Sequence, residues 1–473
     1  MKKDGWLIAL GVASPLLYVI IARFFGVVGF PLDDAWIHQV YARNLGWYGQ
    51  WAFTLGQPSA GSTSPLWTFL LAIGYALRID YAVWTIGLNA ILMGVLTFLV
   101  AQVAQVANLR NVVQVANLRY VGVLIAFEWH LVWAAASGME TILFCVLIVA
   151  AWFFVKRSPL TCGVVIGLAV WTRPEGATLL PFCAWALWAA DGGGIRFLKR
   201  LGVMIAGAAL ITIPYLLFNL SLSGQIFPNT FFAKQSEYAI LTQLPLWQRM
   251  FNIFSSPFIG VLVLILPGIF LSKRWSALAW VCLFLFLYVL RLPVTYQHGR
   301  YLIPVIPLLI IMGGEGMTWV RLNAEAMWRR LLSRAWVLTV SVVAVAFWLI
   351  GLNAWITDVR VINNEMVRVA KWVNENLPRG SSVAAHDIGA LGYFADVRLI
   401  DLAGLVSPDV IPLMRDEARL WVFIRERHSQ YVINYPGWCP NFLSSESLTP
   451  IFQTGALCDP LNPNFYMTVY KVR

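Results

Sequence analysis

Charge is what this sequence has least of. Only 12% of its 473 residues are Asp, Glu, Lys or Arg, and 59% are hydrophobic. A soluble domain carries roughly twice that charge, so an ordinary globular enzyme and a disordered chain are both excluded. Cysteine is scarce too. The six present form no CxxC pair and no Cys/His cluster, which argues against a disulfide framework or a structural zinc site.

What the chain does have is a succession of apolar runs. Spanning a core of ~30 Å takes about 20 residues, fewer when the run is anchored by Trp or buried in a bundle. Eleven such runs lie near 5–25, 81–106, 120–136, 141–155, 160–172, 177–190, 201–221, 253–271, 276–291, 301–313 and 336–356. They predict a polytopic α-helical membrane domain over 1–356 with about 11 transmembrane helices. The basic, apolar start MKKDGWLIAL lacks a clear small-residue cleavage site, so it reads as an uncleaved first span.

The net charge of +11 has a definite address. If the apolar stretch 65–79 does not cross, fifteen basic residues, from Lys2 and Lys3 through Arg196, Lys199 and Arg200 to Arg334, share one side with four acids. That imbalance equals the whole net charge, and the positive-inside rule makes the side cytoplasmic. The expected location is therefore the plasma membrane, with the N-terminus cytoplasmic. Segment 65–79 then reads as a re-entrant or interfacial helix in an outer loop spanning 26–80. The basic excess reflects orientation in the lipid bilayer, and nucleic acid is not implied. A tandem repeat, VAQVANLRN followed by VVQVANLRY at 103–120, falls in a predicted cytoplasmic loop and carries no function in this reading.

Residues 357–473 differ, with 11 basic and 12 acidic residues. An amphipathic helix from Val361 to Leu377 leads into SVAAHD, IGALGYF, VRLID, a helix near 412–428, QYVINY and FYMTVYKV. That alternation predicts a soluble C-terminal α/β domain on the outer face. Cys439 and Cys458, both in this domain, are expected to pair in an oxidising compartment.

Ionisable groups beside a bilayer require a partner or a functional role. Asp33 and Asp34 precede the helical stretch AWIHQVYARN. One acid suffices as an N-cap, and the second is surplus. Asp34, His38 and Tyr41 share a helix face at i, i+4 and i+7, with Arg43 on the same helix. The other outer loops carry Glu140, then Arg173 and Glu175, then Asn229 and Lys234, then His298, Arg300 and Tyr301. Cations Arg173, Lys234 and Arg300 beside these acids suit a substrate with an anionic leaving group and a hydroxyl to be deprotonated. Glu128 and His130 lie inside a predicted span and stay unassigned.

The run LDDAWIHQVYARNLGWYGQWAFTLGQPSAGSTSPLWTFLLA, followed in order by SGMET, TRPEG, PNTFFAK, HGRYLIP and DIGALGYFADVRLIDLAGL, resembles the GT-C glycosyltransferases. Within them it looks most like the terminal arabinofuranosyltransferases of the mycobacterial cell envelope and their bacterial relatives. The resemblance implies an active site on the outer face, a polyprenyl-phosphate sugar donor, and a glycan or glycolipid acceptor. It places the catalytic carboxylate at Asp33 or Asp34. Asp33 is assigned as base and Asp34 as its neighbour or an acceptor-orienting group, with His38, Tyr41, Arg43, Glu140, Arg173, Glu175, Asn229, Lys234, His298, Arg300 and Tyr301 as substrate-binding candidates. No cofactor or metal is expected to be required: no DxD motif occurs, and the cations can neutralise a leaving phosphate. A divalent metal held by the two acids is the less favoured option. The alternative class is a multi-span transporter or flippase of a lipid-linked sugar; it predicts an internal repeat between the two halves, which the sequence does not display.

Overall fold

The computed structural model describes residues 4–108, 118–322, 327–443, 447–455 and 466–473. Most of the second copy of the tandem repeat, and Cys458 with its expected bond to Cys439, lie outside the described residues.

Each apolar run folds as a helix or a pair of helices. Among the described residues five helices, Gly5–Phe24, Tyr81–Gln105, Gly194–Ser223, Tyr296–Arg321 and Met327–Asn376, are long and apolar enough to cross a membrane. Thr141–Phe154, Pro159–Thr172 and Trp275–Arg291 are shorter. Thr141–Phe154 is apolar all round and buried from Thr141 to Trp152, the signature of a helix at the centre of a bundle. Helices approach closely where glycine allows it. A Cβ on Gly163 would lie 2.0 Å from the Met204 carbonyl oxygen, so the crossing of Pro159–Thr172 over Gly194–Ser223 depends on its absence.

Two runs are not the single straight helices that the sequence predicts. Run 253–271 is bent by 101° between Leu246–Phe258 and Leu262–Leu271; Pro257 and Gly260, the latter at φ +123°, account for the break. Run 120–136 divides into Arg119–Phe127 and Trp129–Ala135 at Glu128, whose backbone is extended. Glu128 accepts the Leu131 N–H at 2.9 Å and lies 2.7 Å from His130 Nδ1. Glu128 and His130 thus satisfy each other, and Glu128 caps a helix.

Pro65–Ala76 has 12 residues, about 18 Å of helix, too short to cross. It packs on helix Asp33–Tyr48, with Tyr75 donating to Gln39 Oε1 at 2.8 Å and Trp47 donating to the Tyr75 carbonyl at 3.1 Å. A small hairpin, β1 (Ala52–Thr54) and β2 (Gln57–Pro58), lies between them.

The last span does not end near 356. No glycine or proline interrupts 352–376, and the helix runs on to Asn376 through a single π turn at Asn363–Val367. At that turn the buried Glu365 accepts the Met467 N–H at 2.8 Å, tying the helix to the C-terminal domain. The domain is a five-stranded sheet made of β3 (Ser382–Ala385), β4 (Arg398–Asp401), β5 (Tyr431–Asn434), β6 (Leu448–Gln453) and β7 (Thr468–Val472). Its order is β4-β3-β5-β7-β6, parallel among β4, β3 and β5 and antiparallel at β7 and β6. Short helices Gly389–Phe394 and Glu417–Glu426 connect the parallel strands. Strand β6 is the element that the sequence pattern does not reveal. It contains Pro450 and sits at the sheet edge, where proline is tolerated and a strand pattern is weakest.

Candidate active site

Helix Asp33–Tyr48 begins where Phe30-Pro31-Leu32 brings the chain back against the bundle, with Leu32 in extended conformation. Its first two side chains diverge. Asp34 pairs with Arg300 Nη2 and faces a cavity of about 460 Å³. Arg300 is 5% exposed. Its Nη2 also donates to Tyr301 Oη at 2.9 Å, while Nε and Nη1, both buried, have no hydrogen-bond partner among the described residues. Lys234, from helix Asn229–Glu237, lines the same cavity and pairs with Glu237 at 3.1 Å. Burial alone would raise the pKa of Asp34, but Lys234 and Arg300 outweigh it and hold the carboxyl well below the usual range. Asp34 is therefore ionised, beside two cations, one of which has unused donors.

Asp33 faces the C-terminal domain. Its two carboxylate oxygens accept the backbone N–H groups of Gly389 (2.7 Å) and Ala390 (2.8 Å), at the start of helix Gly389–Phe394. The approach needs glycine, because a Cβ on Gly389 would lie 2.1 Å from the Asp33 carbonyl oxygen. Burial first, and then the charge of Asp387, push the Asp33 carboxyl up to about 7 against the pull of the two amides. Arg43 holds the other end of the same short helix, donating to the Tyr393 and Gly392 carbonyls at 2.8 and 3.2 Å. An acid at the N-terminus and a cation at the C-terminus both complement a helix dipole.

Further into the cavity, Arg173 Nε donates to Glu140 Oε1 at 2.8 Å, and His38 Nε2 lies 3.5 Å from Glu140 Oε2. Burial opposes ionisation of Glu140, but Arg173, with His38 next, brings it down to about 2. Glu175 accepts from Tyr288 at 2.8 Å, and Tyr288 stacks on Tyr301 with centroids 6.0 Å apart. Phe227, Phe231, Leu287 and Leu292 supply an apolar wall.

Of the thirteen residues singled out in the sequence, Asp34, His38, Glu140, Arg173, Glu175, Lys234, Arg300 and Tyr301 line this cavity. Five lie elsewhere. Asp33 and Arg43 join the two domains. Tyr41 braces the loop before Pro65, lying 2.6 Å from Ser59 Oγ and accepting the Gly61 N–H at 3.0 Å. Asn229 donates its backbone N–H to the Ala60 carbonyl at 3.1 Å. His298, in a left-handed turn with Gln297, lies 2.8 Å from Asp358 Oδ2, which anchors the segment carrying Arg300 to the long helix.

A second cavity, of about 700 Å³, opens between the membrane domain and the C-terminal domain. Asp34, Lys234 and Arg300 line both. The second is also lined by His386, Asp387, Tyr435 and Trp438, none of which stands out in the sequence; the signal within reach was HD, an ionisable pair ending a strand. Among the described residues no group of three or more His, Cys, Asp or Glu side chains is arranged to hold a metal ion.

Residues 357–470 match a family described as a domain of unknown function, DUF8728. No curated protein matches the sequence. Among solved structures, the chain is similar to ArnT from Cupriavidus metallidurans bound to undecaprenyl phosphate, with 13% identity, a TM-score of 0.59 and 98% of each chain covered. It is likewise similar to that protein in the apo state, with 14% identity, a TM-score of 0.61, and 99% of this chain and 98% of the other covered. At such identity the likeness is one of fold, and it spans both domains. The chain shares the fold of that protein: among the described residues, a helical domain with five helices long and apolar enough to cross a membrane, followed by a C-terminal sheet-bearing domain.

Proposed function

We propose that this protein is a membrane glycosyltransferase that moves a sugar from a polyprenyl-phosphate donor to an acceptor hydroxyl of a cell-envelope glycan or glycolipid. The observation that carries the reading is Asp34, ionised where two cavities meet, beside an Arg300 guanidinium with two unused donors. The undecaprenyl phosphate bound to the structurally similar ArnT supports a lipid-phosphate donor. Arabinofuranose follows only from the sequence resemblance, and no residue in the cavity selects it.

The chemistry follows from the charges. The bond between the anomeric carbon and the phosphate oxygen breaks, leaving the electron pair on phosphate, as the acceptor oxygen bonds to that carbon and gives up its proton. Arg300, Lys234 and Arg173 face the departing phosphate, and fixed cations in a dry site stabilise charge that develops during reaction. Asp34 takes the proton. In the empty site its basicity is suppressed by Lys234 and Arg300; a bound phosphate shares both cations and restores it, so the base is strongest when donor is present. Asp33 has both oxygens on backbone amides and is assigned to domain docking, which reverses the order read from the sequence. The apolar wall of the first cavity suits a prenyl chain.

In this reading the cations take the place of a divalent metal, and the site faces away from the cytoplasm. The test is transfer by purified protein in lipid nanodiscs, given a panel of polyprenyl-phosphate sugars in excess EDTA. Release of polyprenyl phosphate with glycosylated product is expected. Activity only with a nucleotide sugar, or only with added metal, would overturn the donor or the metal assignment respectively.

A further inference from the structure

The second cavity holds features that the donor site does not explain. His386 and Asp387 follow strand β3 and line it, with His386 Nδ1 3.7 Å from Asp387 Oδ1. His386 Nδ1 and Asp387 Oδ2 are buried yet have no hydrogen-bond partner among the described residues. Buried polar atoms without partners are uncommon and point to a missing ligand. Trp438, 46% exposed, meets the His386 ring edge-on at 4.5 Å, and Tyr238 and Tyr296 pair at 5.9 Å on the membrane-domain side.

Free carboxylate and imidazole atoms flanked by open aromatic faces are the elements that hold a sugar. The carboxylate and imidazole take hydroxyl hydrogens or lone pairs, and an indole covers the C–H face of a ring. Charge narrows the class. Its lining holds the acids Asp33, Asp34, Glu237, Asp358, Asp387 and Glu417 against the cations Lys234, Arg300 and Arg415. The acids are in excess and Asp387 is on the cavity wall, so an anionic sugar would be repelled.

We propose that the cavity between the two domains is an acceptor subsite, in which His386, Asp387 and Trp438 of the C-terminal domain bind a neutral or amine-bearing sugar and present its hydroxyl to Asp34. This rests on the transferase reading for its direction of transfer, but the binding site stands on its own residues. The C-terminal domain then serves to recognise what the membrane domain glycosylates.

The experiment uses full-length protein in nanodiscs and two probes measured separately, undecaprenyl phosphate and a panel of methyl glycosides of neutral, amino and uronic sugars. Trp438→Ala and Asp387→Asn are expected to weaken binding of neutral or amino glycosides roughly ten- to a hundredfold, the range for one lost charged hydrogen bond. Undecaprenyl phosphate should bind as before, Trp438→Phe should retain glycoside binding, and uronides should bind poorly to wild type. Unchanged glycoside affinity in both variants, equal loss of both probes, or a preference for uronides would overturn the proposal. Glycoside binding that depends on Trp438 and Asp387 without any transfer would instead sink the transferase reading alone. Transfer whose acceptor KM ignores both variants would sink the subsite alone.

Discussion

At the scale of single residues, the cations of the cavity differ in what else they hold, so their variants should separate. Lys234 is partnered by Glu237 at a site where both side chains keep some exposure, and Glu237 also lies 4.0 Å from His386, so removing Lys234 does not leave that carboxylate alone. Lys234→Ala should weaken donor use roughly ten- to a hundredfold, as expected for one charge-assisted contact of about 1.5–3 kcal/mol, with the thermal midpoint little changed; donor KM and thermal unfolding check both. Arg173→Ala is a different experiment. It strands Glu140, 2% exposed, and breaking a buried pair costs about 3–5 kcal/mol. A large drop in thermal stability is expected there, and a stable Arg173→Ala would contradict the buried pair. The sequence made these cations legible because charge is so sparse around them. It could not rank Asp33 against Asp34, since adjacent residues on a helix point about 100° apart and only the packed domain decides which faces the cavity.

At the scale of elements, the short helix Gly389–Phe394 is the joint. Asp33 holds its first amides and Arg43 its last carbonyls, so the residue read from sequence as the base and one read as a substrate ligand both serve a contact that the sequence could not reveal: their partners lie about 350 positions away. The Asp33 carboxyl titrates near 7 in the folded chain against an ordinary 3.8. Between those values the folded state keeps a proton that the unfolded state has released, so stability from this group is complete below about 4, falls as pH rises, and is flat above about 7. Asp33→Asn should flatten the pH dependence of thermal unfolding across that window; an unaltered slope would contradict the assignment. Gly389→Ala, whose new Cβ has no room against Asp33, should speed amide hydrogen exchange through residues 389–394 while leaving the central helix Thr141–Phe154 protected. The same distance limit explains the other misreadings. Apolar runs gave helix positions well, but the 101° bend and the break at Glu128 depend on local backbone geometry that run length does not encode.

At the scale of the whole molecule, two cavities meet at one carboxylate, and the charge asymmetry of the loops is expected to orient the chain. In a background with Cys282, Cys439 and Cys458 replaced by Ala, Arg196→Cys should react with an impermeant thiol reagent only after permeabilisation, because the basic loops are expected on the cytoplasmic side; labelling in intact cells would invert the topology and place the cavities inside. The two-domain plan and most of the first cavity were readable in the sequence, through hydropathy and isolated charges. The half of the second cavity that the C-terminal domain contributes was not, because those residues come from polar stretches where an ionisable side chain is commonplace. Both cavities share Asp34, and the proposed chemistry depends on it. The most direct measurement is turnover of a polyprenyl-phosphate sugar by Asp34→Asn and Asp33→Asn side by side, with undecaprenyl phosphate binding as the folding control. Loss of the base should lower turnover of Asp34→Asn by about 10²–10⁴-fold with the lipid still bound, while Asp33→Asn keeps most of its activity. Near-normal turnover by Asp34→Asn, with Asp33→Asn inactive, would contradict it.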